Sequence, residues 1–156
     1  MAFKNNVTRL LDARNIAYTL FELDGDKHSA EDTATRLGVP TDHVYKTLVV
    51  LREAPGKKPL LVMTPAGREL DLKQLAAAIG EKKLKLSTQA EAERLTGLQV
   101  GGISALALLN KGFEICLAED ARALPFIHLS AGDRRANIRL TVDDLLALTR
   151  ARWVRT

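Results

Sequence analysis

The chain has 156 residues, a formal net charge of +4, 46% hydrophobic and 27% charged residues, a length and balance that suit one globular domain over residues 1–156 and exclude disordered and fibrous classes. A single cysteine, Cys116, excludes an intrachain disulfide and a cysteine-based zinc cluster. The polar start Met1-Ala2-Phe3-Lys4-Asn5-Asn6 and the lack of a run of roughly 18 apolar residues argue against export or a membrane-spanning helix and for a reducing cytoplasm.

Helical spacing of Val7, Leu10 and Leu11 predicts a first helix over residues 5–15, and Tyr18–Leu23 reads as a strand followed by a polar loop at Asp24-Gly25-Asp26. Ser29 is placed to cap a helix carrying Ala30, Ala34 and Leu37, with Gly38 to end it. Val44–Leu51 and Leu60–Met63, separated by a turn-forming segment around Pro55-Gly56, read as a hairpin. Asp71 caps a helix through Leu72, Leu75, Ala76 and Ile79 that stops at Gly80, and a short strand is expected at Leu84-Lys85-Leu86. Thr88 and Glu91 form a capping box for a helix ending at Gly97. Chain direction changes at Gly101-Gly102, and the apolar run Ile103–Leu109 fits helix or strand equally. Ile115–Leu117, Phe126–Leu129 and Ile138–Leu140 read as strands, with a turn at Ala131-Gly132-Asp133, and Thr141 caps a last helix through Leu145, Leu146 and Leu148. Helices and strands are interspersed without regular alternation, which predicts an α+β fold.

Motifs for nucleotide cofactors, phosphate-binding loops, zinc-binding His-Glu-x-x-His helices and serine nucleophile elbows are missing, so no cofactor is expected. His28, His43 and His128 are dispersed, with no metal-ligand spacing, so no metal is expected either. Cys116 sits mid-strand as a small core hydrophobe. Lys46 shares a strand face with Val44, Leu48 and Val50, where an ammonium either snorkels to water or meets an anion or carbonyl at the mouth of a pocket. Gly101-Gly102 is either an ordinary turn or a backbone nest for a developing oxyanion. Ser130 is placed to bond its local backbone. Basic residues fall in small groups (Lys57-Lys58, Lys82-Lys83-Lys85, Arg134-Arg135, and Arg150, Arg152 and Arg155) and aromatics are only 4%. They are either solvated surface charges or groups suited to phosphate contact rather than base stacking.

Gly38-Val39 leading into Val44–Val50, then Glu69–Lys73, Thr96-Gly97, Val100-Gly101-Gly102-Ile103-Ser104 and Ser130-x-Gly132-x-Arg134 resembles, in order and spacing, the YbaK and prolyl-tRNA-editing-domain family. The resemblance implies a mixed, strongly curved, barrel-like sheet flanked by helices, and trans-editing removal of a wrongly attached small amino acid from tRNA, foremost Cys-tRNA(Pro). Alanyl, seryl or threonyl esters are the alternatives, as is a non-catalytic homologue that binds tRNA or a synthetase. It implies mischarged tRNA(Pro) and prolyl-tRNA synthetase as partners. It places catalysis at Lys46, Gly101 and Gly102, and substrate binding at Leu23, Ser29, Ser104, Ser130 and Asn137. Leu23 and Ser29 stand where the YbaK branch carries tyrosine and phenylalanine, Asn137 stands where it carries an acid, and Ala105 stands where a proline follows the glycine loop. The framework is kept while the pocket lining differs.

Overall fold

Each described α-helix begins where a side chain satisfies an otherwise orphaned N–H group. In a computed structural model that describes residues 3–23 and 29–156, helix α1 (Asn6–Ala13) opens at Asn5, whose Oδ1 accepts from Thr8 N–H while its backbone N–H donates to Thr8 Oγ1. Ser29, Asp71, Thr88 and Thr141 accept from the N–H groups of Asp32, Gln74, Glu91 and Asp144. They start α2 (Ala30–Leu37), α3 (Leu72–Ile79), α4 (Gln89–Thr96) and α5 (Val142–Thr149). Helices α2, α3 and α4 end on Gly38, Gly80 and Gly97, as expected. The polar loop expected at Asp24-Gly25-Asp26 lies outside the described residues.

Strands β1 (Thr19–Glu22), β7 (Ala136–Thr141) and β6 (Phe126–Asp133) form an antiparallel sheet in the order β1-β7-β6. A second sheet runs in the order β4 (Leu84–Leu86), β2 (Tyr45–Arg52), β3 (Leu60–Pro65), β5 (Glu114–Ala118) and β8 (Arg152–Val154). Its β4-β2-β3 half is antiparallel, confirming the hairpin, whereas β3-β5-β8 is parallel.

Side chains alternate across a strand, so β2 feeds two cores. Tyr45 and Val49 join Leu61, Met63 and Leu117 against Ile127, Leu129, Ile138 and Leu140 of the other sheet, with Val7, Leu11 and Leu145 from α1 and α5. Val50 joins Leu60, Val62 and Cys116 under Leu75 and Ala76 of α3, with Leu48 packed at the edge. Covered on both faces, β3 is buried throughout, which accounts for its unbroken apolar run.

The mixed α+β architecture matches expectation, but the strongly curved, barrel-like sheet does not. Among the described residues the strands form two open sheets, linked by an isolated bridge between Val44 and His128. The longer sheet ends on the three-residue strands β4 and β8, which do not pair with each other, and burial comes from stacking two layers rather than from closure. The ambiguous run after the glycine loop is neither α-helix nor strand but a short 3-10 turn, Ala105–Leu108. The expected turn at Ala131-Gly132-Asp133 is instead an irregular continuation of β6, and β8 was not anticipated. No helix among the described residues is long and apolar enough to cross a membrane.

Leu61 is fully buried on the central strand. Leu61→Ala should lower stability by about 2–5 kcal/mol in chemical denaturation; a near-neutral effect would contradict this account of the core.

Candidate active site

Lys46 lies opposite Thr64 in the β2-β3 register, on the same face as Leu48 and Val50. Its ammonium is half-buried and must find an acceptor. The chain supplies one just past β3, where Lys46 Nζ donates to the Arg68 carbonyl at 2.8 Å. The turn that presents this carbonyl is held at its start by Ala66 N–H, which donates to Val44 O at 2.8 Å. A Cβ on Gly67 would come within 2.9 Å of Thr41 Cγ2, so any larger residue there would have to push the Thr41 side chain aside. Burial pushes the Lys46 pKa below the ordinary lysine value; Glu69 opposes that shift and the Arg68 charge adds to it.

A cleft of about 420 Å³ opens along β2, bounded by α2, the start of α4, the glycine loop and the β6-β7 pair. Lys46, Gly101, Ser130 and Asn137 line it together. Lys46 is the one charged side chain among the described lining residues, which include no acid, histidine or cysteine.

The glycine loop is fastened on both sides. Val100 N–H donates to Glu93 Oε2 at 2.9 Å, and Arg134 Nε donates to Val100 O at 2.9 Å. Gly101, at φ +95°, lies under the Arg134 side chain. Gly102 packs so closely on the Asp133-Arg134 backbone that an added Cβ would sit 3.1 Å from it. Gly102 N–H is committed to Gln99 O at 2.8 Å, whereas Gly101 N–H donates to no described residue. The available donor of the pair is therefore at Gly101.

Ser130 and Asn137 face each other across β6 and β7. Ser130 Oγ accepts from Gly132 N–H at 3.2 Å, the local backbone bond expected of it. Asn137 is 5% exposed; its Oδ1 makes no hydrogen bond of normal geometry among the described residues, although its side chain lies close enough to His128 to favour the charged imidazole. The other candidates lie off this wall. Leu23 N–H is tied to Arg135 O, and Ser29 caps α2, whose Ala30 and Thr33 line the cleft. Ser104 is fully buried and accepts from Leu106 N–H. Sequence reasoning missed Tyr45, Thr47, Thr88 and Gln89, which are lining residues without a motif to mark them.

Cys116 is fully buried, and burial pushes its thiol up to about 12, which disqualifies it as a thiolate nucleophile. His128 is buried against Phe21, with ring centroids 5.4 Å apart, and burial lowers its pKa. Among the described residues, no group of three histidine, cysteine or acidic side chains is placed to hold a metal. Gly102→Ala should cost about 1–3 kcal/mol in urea denaturation because backbone, not a movable side chain, blocks the new methyl; unchanged stability would show that the loop is not clamped.

The chain matches the family model of the aminoacyl-tRNA editing domain over residues 24–148. It is 34% identical over 152 residues to EbsC of Enterococcus faecalis, described as a candidate Cys-tRNA(Pro)/Cys-tRNA(Cys) deacylase, covering 96% of this chain and 91% of EbsC. A stretch of 74 residues is 32% identical to a proline–tRNA ligase of Nitratidesulfovibrio vulgaris, covering 47% of this chain and 12% of the ligase. A solved structure described as a candidate trans-editing enzyme for prolyl-tRNA synthetase superimposes with a TM-score of 0.82 at 26% identity, covering 99% of this chain and 98% of that one. Because the family match spans Lys46, the glycine loop and the Ser130–Asn137 pair, the chain belongs to the aminoacyl-tRNA editing domain family and is an aminoacyl-tRNA deacylase.

Proposed function

We propose that this deacylase acts in trans in the cytoplasm on tRNA(Pro) mischarged with cysteine, the substrate class for which EbsC is described. The observation that carries the chemistry is the ammonium of Lys46, the one charged side chain among the described lining residues of a cleft that it shares with Gly101. Lys46 holds and polarises the ester carbonyl. Gly101 N–H stabilises the oxyanion that develops there, a contribution of roughly 3 kcal/mol for one such donor. Asn137 Oδ1 accepts a hydrogen bond from the substrate's amino group.

For a cysteinyl ester the attacking group is the substrate's own thiol, which needs no nucleophile from the described wall. The cysteine thiol sulfur forms a bond to the ester carbonyl carbon, the bond from that carbon to the ribose oxygen breaks, and the thiol proton passes to the ribose oxygen. The released four-membered thiolactone then adds water to give cysteine. The exposed lysines Lys82, Lys83 and Lys85 lead into the cleft-lining segment 86–89 and contact tRNA phosphates. The local likeness to a proline–tRNA ligase supports prolyl-tRNA synthetase as the source of the mischarged tRNA.

Hydrolysis measured on tRNA(Pro) carrying cysteine, alanine, serine or threonine tests the substrate. Cysteine is expected to be released fastest; release of alanine, serine or threonine without cysteine would replace thiol attack by water attack. Lys46→Ala should reduce turnover by about 100-fold or more with unchanged melting, and full activity in that variant would remove Lys46 from the mechanism. Affinity for tRNA should fall with added salt, with a log–log slope of about −2 for three phosphate contacts. A flat response would rule out the lysine contacts.

A further inference from the structure

The turn carrying the Lys46 acceptor is held from a direction that the cleft does not explain. Arg68 NH1 donates to Asp120 Oδ2 at 2.7 Å and NH2 to Asp120 Oδ1 at 2.9 Å, a fork-to-fork pair. The same NH2 donates to Thr156 Oγ1 at 2.6 Å, and Thr156 Oγ1 also accepts from Thr64 Oγ1 at 3.0 Å. Thr64 is fully buried and stands directly opposite Lys46 in the strand register. One network thus reaches Lys46 by two routes, through the strand partner that sets its backbone and through the carbonyl that holds its ammonium.

We propose that Arg68, clamped by Asp120 and Thr156, is a positioning residue that fixes its own carbonyl as the anchor of Lys46; the inference rests on the reading of Lys46 as catalytic. An ion pair whose partners are 42% and 41% exposed adds little to stability, so its consequence here is directional. A bidentate guanidinium restrains the orientation of its residue, and three successive residues of the turn are tied to two segments, 41–44 and 119–123. Ala66 is bonded to Val44, Gly67 is packed on Thr41, and Arg68 is forked onto Asp120 in the 3-10 turn Glu119–Ala123 after β5. The Arg68 fork holds the Asp120 carboxyl below its ordinary value, so the clamp persists at mildly acidic pH. Among the described residues, the charged groups that act on Lys46 itself are Glu69 and Arg68.

The test compares full-length Asp120→Asn, Arg68→Lys and Thr156→Val with wild type, using mischarged tRNA(Pro) and thermal melting. For Asp120→Asn and Arg68→Lys, kcat should fall about tenfold, with KM within about twofold. The alkaline limb of the pH–rate profile should move to lower pH, because a wandering carbonyl no longer favours the charged ammonium. Asp120→Glu should recover most of the rate. Thr156→Val, which removes a single acceptor, should shift the limb in the same direction by less, and reads out the clamp should the stronger variants unfold. Wild-type kcat and pH limb in folded Asp120→Asn would overturn the proposal, as would a loss of rate that follows the folded fraction with no shift of the limb. Lys46→Ala in the same assay separates the two levels. If it is inactive while Asp120→Asn is normal, only the clamp fails. If it is fully active, the reading of Lys46 fails and the clamp has no function to serve.

Discussion

An ammonium on a half-buried strand face has to be given an acceptor, and much of the geometry around the cleft follows from how Lys46 is given one. A carboxylate would neutralise the charge and make a closed ion pair. A backbone carbonyl holds the lysine while leaving its charge available to a substrate oxygen. The Arg68 carbonyl fills this role at 2.8 Å. The β2-β3 register, the glycine at position 67 and the Arg68–Asp120 fork all bear on where that carbonyl stands.

The two-sheet architecture places the rest. The five-stranded sheet is covered on both faces and supplies a rigid strand for Lys46, while the β6-β7 pair brings Ser130 and Asn137 to the same cleft. Between them the glycine loop is fixed by contacts of different kinds: backbone close packing at Gly102, a side-chain acceptor from Glu93 and the Arg134 side chain over Gly101. The Asp133–Arg134 end of β6 packs directly on that loop, so the irregularity between Ser130 and Asp133 belongs to the construction of the site.

Local chemistry was legible in the sequence because it acts over a few residues. Ser29, Asp71, Thr88 and Thr141 cap the helices expected of them, and Ser130 bonds Gly132 as its type suggests. The face of Lys46 followed from strand alternation, while its acceptor, 22 residues away, did not. Strand β8 was illegible because the three residues Arg152-Trp153-Val154 carry no periodicity and pair in parallel with distant β5. Helix α5 lacks a glycine stop and ends on Arg150 in the left-handed region, at φ 53°. The curved sheet implied by family resemblance gave way to two open layers, a property of nonlocal pairing. The assignment of the donor to Gly101 depends on Gly102 N–H being taken by Gln99, which the double glycine does not reveal.

In the proposed chemistry Lys46 and Gly101 converge on one ester carbonyl. A crystal structure with adenosine bearing cysteine through a non-hydrolysable 3′-amide tests it most directly. The amide oxygen should lie within hydrogen-bonding distance of both Lys46 Nζ and Gly101 N–H, with the amino group at Asn137 Oδ1. An amide oxygen bound away from both donors, with Lys46 still held only by Arg68, would contradict it.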